Sequence, residues 1–282
     1  AAALAGAPVV LMPRFDAAET LRLIGTLRVA STHLVPTMFR RCLALPAAER
    51  DAFDPCSLRS TLHGAAPIGR EEKARLLAWW GPSLTEYWGS SEVGSITLVR
   101  AADWQERPGT VGRPLPGWSV LAEDDGPLPP GRVGRLVATH SSGQRRFTYR
   151  GDPERTLAAQ PVPGRFATGD LGWVDEAGFV FLAGRADDVI LSGGVNVYPA
   201  AVQAALLTHP AVQEAAVIGL PDPEWGELVA AVVVTDGAVE TQALMEHCRQ
   251  RLQTAQRPRR LVQISELPRN AGGKLDRRGL RA

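Results

Sequence analysis

The sequence has little of what marks a metal-binding, membrane or nucleic-acid-binding protein. Its three cysteines are far apart, with no CxxC pair and no matching histidine spacing, so no metal site is indicated and we expect a reducing compartment. A formal net charge of +1 gives no overall field that attracts nucleic acid. The apolar runs are short, which predicts no transmembrane segment, and the first residues do not resemble a signal peptide. We expect a cytoplasmic protein with small-molecule partners and no nucleic acid.

The composition is that of an ordinary globular protein, with 45% hydrophobic and 22% charged residues. A length of 282 residues is enough for more than one domain. Near the start, the stretch APVVLM has the pattern of a buried strand. Because whole proteins rarely begin inside a core, we expect this chain to be the back part of something longer.

Residues 1–105 alternate between strand and helix patterns. The predicted strands lie at 9–12, 31–35, 58–62 and 83–88. Helices are predicted to begin at Asp16, Pro36 and Gly69. Alternation with connections of this length predicts a parallel α/β layer.

The pattern changes twice along the rest of the chain. Residues 106–186 show short strands separated by Gly, Pro and Asp turns, which predicts an antiparallel, barrel-like subdomain. Residues 187–282 show strands and helices with an apolar core of their own. The predicted fold class is therefore α/β: a partial large domain, 1–186, followed by a small α+β C-terminal domain, 187–282.

Two loops leave the carboxyl ends of the predicted parallel strands, where ligands bind in open α/β sheets. The loop HGAAP, 63–67, is small enough for a flat ring to lie against its backbone. The loop EYWGSSEVG, 86–94, offers an aromatic face, a glycine, hydroxyls and a carboxylate, which suit base stacking, phosphate binding and Mg²⁺ ligation. A turn rich in small residues is the alternative interpretation. The candidates are Gly64, Ala65, Ala66, Tyr87, Trp88, Gly89, Ser91 and Glu92.

Two later stretches hold further candidates. Asp170, in ATGDLG, can accept hydrogen bonds from both hydroxyls of a ribose, although an Asp-Gly turn also explains it. The stretch GRADDVILSGGVNVYP has an arginine, two acids and a glycine pair, and it also fits a domain linker. Its candidates are Arg185, Asp187, Gly193 and Gly194.

The glycine-rich stretch LPRNAGGKLDRR, 267–278, carries a single lysine, Lys274. A Walker phosphate loop needs a glycine six residues before its lysine and a serine or threonine after it. Those positions are Pro268 and Leu275. We therefore reject a Walker loop and keep Lys274 as a candidate for another role.

Taken in order, these segments resemble the adenylate-forming superfamily of acyl-CoA synthetases, peptide-synthetase adenylation domains and beetle luciferases. The match covers nearly the whole chain. The residues in several of its motifs are most similar to those of bacterial fatty-acid–CoA or related acid–CoA ligases. The resemblance implies that a carboxylate attacks the α-phosphate of Mg-ATP to give an acyl-adenylate, and that CoA then displaces AMP. The matching segments are HLVPTMF, HGAAPI, EYWGSSE, GTVGRPLPG, ATGDLG, GRADDVILSGGVNVYPA and LPRNAGGKLDRRGLR.

The resemblance also implies roles for the residues of the nucleotide site. Trp88 would lie against adenine, Ser91 would contact the α-phosphate, and Glu92 would hold Mg²⁺. Asp170 would bind the ribose hydroxyls, with Arg185 beside them. The implied cofactors are ATP or AMP and Mg²⁺, with CoA as the acceptor substrate.

The resemblance implies three further roles, for four residues of the small domain. Asp187 would be the hinge about which this domain turns between the two half-reactions. Gly193 and Gly194 would enter the site for thioester formation. Lys274 would reach the α-phosphate and the carboxylate during adenylation, where its flexible, charged side chain meets developing negative charge.

The sequence departs from the family at several positions. Trp88 replaces the usual tyrosine, Ser91 replaces the usual threonine, and Ala201 and Gln203 stand where glutamates are common. The Ser/Thr/Gly-rich phosphate loop of the family has no counterpart in this sequence, so the β- and γ-phosphates lack a cradle. We expect the chain alone to be inactive or very weak, and to need a missing N-terminal half or a homo-oligomeric partner.

Two other functions stay open on the sequence alone. The chain can be a non-catalytic nucleotide- or acyl-binding remnant that kept the fold, or an adenylation enzyme that loads the thiol of a carrier protein. The missing phosphate loop favours the remnant, and the absence of a carrier-like segment disfavours the carrier-protein enzyme. The acid–CoA ligase is favoured by the joint retention of Glu92, Asp170, Arg185, Asp187 and Lys274.

Overall fold

A computed structural model describes residues 6–66, 68–237, 239–270 and 275–281. The elements up to residue 185 are α1 (Ala17–Thr26), β1 (Ser31–Leu34), α2 (Pro36–Leu43), α3 (Ala47–Asp51), β2 (Ser60–His63), α4 (Arg70–Trp80), β3 (Leu84–Ser90), β4 (Gly94–Arg100), α5 (Ala101–Glu106), β5 (Thr110–Pro114), β6 (Trp118–Glu123), β7 (Gly134–His140), α6 (Pro153–Ala159), β8 (Arg165–Val174) and β9 (Val180–Arg185). Their strands form a nine-stranded sheet in the order β1-β2-β3-β4-β5-β9-β8-β7-β6.

The rest of the described chain forms a second, five-stranded sheet with two helices. Its elements are β10 (Ile190–Ser192), β11 (Val195–Val197), α7 (Pro199–Leu207), β12 (Val212–Asp222), β13 (Gly226–Thr235), α8 (Thr241–Arg251) and β14 (Arg260–Gln263). Within the described ranges, no helix is both long and apolar enough to cross a membrane.

The first helix begins as its sequence predicts. The Asp16 side chain accepts a hydrogen bond from the backbone N–H of Glu19 at 2.9 Å, which satisfies one of the free donors at the start of α1. Glu19 does not complete a capping box, because its carboxylate pairs with Arg22 in the next turn. The Asp16 side chain therefore caps the helix, but the reciprocal hydrogen bond from the Asp16 backbone N–H to the Glu19 side chain is not made.

The predicted parallel layer is confirmed for β1, β2 and β3, which pair in parallel. One face of these strands is covered by helices whose apolar residues form a buried core, including Leu21, Ile24, Phe39, Leu76 and Trp80. Burying these side chains supplies the main stabilisation of this layer. The sheet thus holds the ends of β2 and β3 side by side.

The strand predicted at residues 9–12 is wrong. No strand is assigned there, and Val9, Val10 and Leu11 have exposed fractions of 52%, 54% and 86%. Within the described residues, β1 is the last strand on this side of the sheet, and residues 9–12 do not pair with its free edge. A run of β-forming residues does not make a strand without a pairing neighbour.

The predicted antiparallel region is confirmed for β6 to β9, and it is continuous with the parallel layer. Strand β5 makes the connection, because it pairs with β4 through Leu98 and Arg113 and with β9 through Gly112 and Val180. A core that includes Trp88, Leu136 and Phe166 lies against these strands. Residues of β3, β8 and β9 are thereby brought close together.

The small α+β unit has a core of its own, as predicted. The long hairpin of β12 and β13 carries α7 and α8, and buried residues including Val202, Leu206, Val217, Val233 and Leu244 lie between them. The change from the large to the small sheet falls between Arg185 and Ile190. A short 3₁₀ turn, Ala186–Asp188, lies in this interval.

Candidate functional site

The two predicted loops meet at the carboxyl ends of β2 and β3. Gly64 is buried under Tyr87: a Cβ atom at Gly64 would lie 2.9 Å from the tyrosine ring, so only glycine fits. The Tyr87 hydroxyl is 3.1 Å from Nε2 of His33. Ala65 and Ala66 are exposed, and Ala65 has φ +69°, a conformation that costs a non-glycine residue about 1 kcal/mol. The loop is therefore tightly packed and locally strained, as is common at binding sites.

A chain of hydrogen bonds joins three of the predicted motifs. The indole Nε1–H of Trp88 donates to Oδ2 of Asp170 at 2.8 Å, although the two residues are 82 positions apart. Arg185 donates to Oδ1 of the same carboxylate at 3.0 Å. Each carboxylate oxygen keeps a further lone pair, so Asp170 can still accept hydrogen bonds from a diol. Motifs from β3, β8 and β9 thus converge on one carboxylate.

Trp88 is less open than the sequence suggests. Its side chain is buried in the core beside β5 and β7, with an exposed fraction of 7%. Its predicted contact with adenine stays a prediction, and any stacking uses the small exposed part of the indole. The adjacent Gly89 has a structural role, because a Cβ atom there would collide with the backbone of Gly94 across the β3–β4 turn.

Glu92 lies in the turn between β3 and β4, half-buried, beside the exposed Ser91. Its Oε1 accepts a hydrogen bond from the Tyr149 hydroxyl at 2.9 Å. Burial alone would raise the pKa of Glu92, but hydrogen bonds to its carboxylate, that of Tyr149 among them, outweigh burial and lower the pKa. Carboxylate and hydroxyl oxygens are donors that Mg²⁺ prefers, so these residues fit a magnesium ion.

Three buried ionisable residues, Lys73, Glu86 and His63, lie on the elements that carry the two loops. Lys73 of α4 forms an ion pair with Glu86 of β3, and both side chains are almost fully buried. Burial lowers the pKa of Lys73 and raises the pKa of Glu86, and each shift is opposed by the partner's charge. His63, paired with Glu86 across β2 and β3, has neither ring nitrogen hydrogen-bonded within the described residues. Burial, assisted by the positive charge of Lys73, lowers its pKa to about 3.

The small unit presents its candidates on turns. Gly193 and Gly194 connect β10 and β11 in a two-residue hairpin loop, with φ +57° and +79°, values that this class of turn requires. Gly193 also donates its N–H to the carbonyl of Trp225 at 2.9 Å and lies against that ring. Hairpin geometry therefore accounts for both glycines without a ligand.

The predicted hinge lies in a segment that is tied to the end of the chain. Asp187 is exposed in the 3₁₀ turn, and its neighbour Asp188 pairs with Arg277 at 3.1 Å. Lys274 lies outside the described residues. Arg269 and Leu275, which flank it, form an isolated antiparallel bridge.

A model of the AMP-binding enzyme family matches residues 1–144, and a model of the AMP-binding enzyme C-terminal domain matches residues 201–274. The chain belongs to the AMP-binding enzyme family. This membership confirms the resemblance to the adenylate-forming superfamily.

Curated relatives of the chain include acid–CoA ligases. The chain is 34% identical over 278 residues to a 2-succinylbenzoate–CoA ligase of Bacillus cereus, covering 98% of this chain and 56% of that protein. It is 35% identical over 280 residues to a long-chain-fatty-acid–CoA ligase of Bacillus subtilis, covering 98% and 49%. The chain thus spans about half the length of the curated relatives that it matches.

Solved structures share the fold. The amide bond synthetase McbA from Marinactinospora thermotolerans is 34% identical with a TM-score of 0.85, and the alignment covers 98% of this chain and 57% of that one. The O-succinylbenzoate CoA synthetase from Bacillus subtilis, in complex with ATP and magnesium, is 29% identical with a TM-score of 0.86, with 100% and 57% covered. Both support a large domain followed by a small one.

Sequence reasoning missed three features of the site. Neither the Lys73–Glu86 ion pair nor the hydroxyl of Tyr149 was expected, and the contact between Trp88 and Asp170 was not foreseen. A lysine on the apolar face of α4 and a glutamate at an inward position of β3 were the only sequence signals for the ion pair. The contacts of Tyr149 and Trp88 join distant segments, and no local pattern marks them.

Proposed function

We propose that the chain provides the nucleotide-binding region and the small domain of an AMP-forming acid–CoA ligase. A carboxylic acid, fatty or related, attacks the α-phosphate of ATP, which gives an acyl-adenylate and releases pyrophosphate. The thiol of CoA then attacks the acyl carbon and displaces AMP. The convergence of Trp88 and Arg185 on Asp170 is the observation that supports this proposal most directly.

The residues divide the work between holding the nucleotide and stabilising charge. Asp170 accepts hydrogen bonds from the ribose, Trp88 contacts the base with its exposed part, and Ser91 donates to the α-phosphate. Glu92 holds Mg²⁺, which when bound neutralises phosphate charge. Lys274 stabilises the negative charge that develops on the α-phosphate and the attacking carboxylate.

The proposal also concerns which acid is activated and which acceptor receives it. The relatives act on 2-succinylbenzoate and on long-chain fatty acids, so both classes are reasonable substrates. CoA is the acceptor named for both relatives. The similarity to an amide bond synthetase makes an amine acceptor a useful comparison in the assay.

The test is acid-dependent release of pyrophosphate from Mg-ATP. It is run on the chain alone, and on the chain combined with a segment that supplies the remaining length of its relatives. Succinylbenzoate, short-chain and long-chain acids are compared, and CoA or an amine is added afterwards. We expect pyrophosphate release with one class of acid and a thioester after addition of CoA. Nucleotide binding without pyrophosphate release in either preparation would instead support a non-catalytic remnant.

A further inference from the structure

We infer that Tyr149 is a positioning residue that orients Glu92 and thereby sets the affinity of the nucleotide site for Mg²⁺. This inference rests on the proposed function and deepens it. Tyr149 lies between the two segments matched by the family models, residues 1–144 and 201–274. No motif found in the sequence includes it, so the assignment comes from its contacts.

Tyr149 connects two charged residues from different parts of the fold. Its hydroxyl donates to Oε1 of Glu92 at 2.9 Å, across 57 positions of the chain. The guanidinium of Arg155 lies 4.1 Å from the centroid of its ring, within the range of a cation–π contact. A hydrogen bond from a hydroxyl to a carboxylate is charge-assisted and stronger than a neutral one. The phenol therefore restrains the Glu92 carboxylate through Oε1, and the carboxylate oxygens have further lone pairs with which to bind a metal ion.

The backbone that carries Tyr149 is fixed to α6 by buried polar side chains. Thr156 accepts a hydrogen bond from the Tyr149 N–H at 2.8 Å. One turn further, Gln160 accepts from the N–H of Arg146 and donates to the carbonyl of Phe147, each at 2.8 Å. Thr156 and Gln160 have exposed fractions of only 5% and 1%. An exposed loop is thus held at three backbone positions around the tyrosine.

The helix that supplies these contacts is itself anchored. Asp152 accepts from the N–H of Arg155 at 2.9 Å and caps the start of α6. The Phe147 ring packs edge-on against both Tyr149 and Phe166, which joins the loop to the core under β8. The position of the tyrosine hydroxyl is therefore determined by the fold before any ligand binds.

Orientation matters for Glu92 because its side chain extends from a turn. A free glutamate loses about 1–2 kcal/mol of side-chain entropy when it is held in one geometry. Mg²⁺ requires ligands in nearly ideal octahedral positions. A carboxylate already held by Tyr149 loses less entropy on binding the ion. Removal of the hydroxyl should weaken Mg²⁺ binding and leave metal-free binding of AMP unchanged.

The test compares Tyr149→Phe with the wild-type chain by calorimetry. ATP binding is measured over a range of Mg²⁺ concentrations, and AMP binding is measured in EDTA. Tyr149→Phe keeps the ring and its contact with Arg155. We expect it to raise the Mg²⁺ concentration for half-maximal ATP binding about 3- to 10-fold, because part of the ordering entropy of the Glu92 side chain must then be lost when the ion binds. AMP affinity in EDTA should stay within about twofold of wild type.

Two controls make the result specific. Tyr198→Phe removes a hydroxyl in the small unit and should change neither measurement. In a Glu92→Gln background, Tyr149→Phe should cause no further change in Mg²⁺ dependence, because the two residues act through one ligand. Thermal melting checks that each variant is folded.

The outcomes separate this inference from the proposed function. Equal Mg²⁺ dependence in wild type and Tyr149→Phe would overturn the role of Tyr149 while leaving the proposed function intact. An equal loss of metal-free AMP binding would also overturn it, because it would show a purely structural role. No nucleotide binding by the folded wild-type chain would refute the proposed function, and this inference with it.

Discussion

The candidate residues in the large sheet and those in the small unit are organised differently. In the large sheet, Trp88, Arg185 and Tyr149 hold the carboxylates of Asp170 and Glu92 by hydrogen bonds. In the small unit, Gly193 and Gly194 lie on an exposed hairpin turn whose geometry alone explains them. The comparison teaches that the side chains proposed to bind the nucleotide are already held in position by hydrogen bonds within the protein when no ligand is bound. Gly193 and Gly194, which are proposed to enter the site only for thioester formation, lie on an exposed turn.

The largest effect is expected from breaking the buried Lys73–Glu86 ion pair beneath the site in the large sheet. Lys73→Met leaves Glu86 buried without a partner, and we expect the free energy of unfolding to fall by about 3–5 kcal/mol. Chemical denaturation measures this change. The double variant Lys73→Met/Glu86→Leu should recover most of the loss, because an apolar pair replaces the ion pair. A single variant as stable as wild type would show that the ion pair does not support the site.

A slightly smaller effect is expected from substitution of Lys274, and it should appear in rate and not in stability. Lys274→Ala, in a preparation that carries out both half-reactions, should slow adenylation about 10²- to 10³-fold, roughly 3–4 kcal/mol. Transfer to CoA from preformed acyl-adenylate should be unaffected, because the lysine is proposed to act in only one half-reaction. Pyrophosphate release and thioester formation are measured separately. Equal loss of both would contradict this assignment.

A third, smaller effect is a dependence of stability on pH. The folded pKa of His63 is about 3, below its unfolded value of about 6.5. The unfolded chain therefore binds a proton that the folded chain does not, so the contribution of His63 to stability is complete above about pH 6.5 and is lost as the pH falls. Between pH 7 and pH 5 this loss is about 2 kcal/mol.

Comparison of wild type with His63→Leu isolates this contribution. Denaturant unfolding at both pH values should show that the variant loses about 2 kcal/mol less than wild type. The carboxylates and the other histidines contribute equally to both proteins. Parallel pH profiles would mean that His63 binds its proton as readily in the folded state as in the unfolded state, which would contradict the lowered pKa.

Sequence patterns predicted the local elements well, and the physical reasons are visible in particular residues. Asp16 and Pro36 begin helices as expected, and the alternation up to β3 gave the parallel pairing. The prediction of a strand at residues 9–12 was wrong, because strand formation depends on pairing with a neighbouring strand, which no local pattern reveals.

The candidate site was predictable in its residues but not in its connections. Asp170, Arg185 and Glu92 were identified from their motifs. Their partners were not, because Trp88 and Tyr149 reach them through the order of strands in the sheet and the position of α6. The tight packing of Gly64 and Gly89 also depends on contacts across strands.

The central claim is that Asp170 holds the ribose of an adenine nucleotide. It is tested most directly by calorimetry of AMP with the wild-type chain, Asp170→Asn and the control Asp124→Asn, which makes the same charge change at an exposed residue. We predict that Asp170→Asn weakens AMP binding by about 10-fold or more, as expected for loss of charged hydrogen bonds, while Asp124→Asn binds like wild type. Equal AMP affinity in all three folded proteins, or no AMP binding by the wild-type chain, would contradict the account.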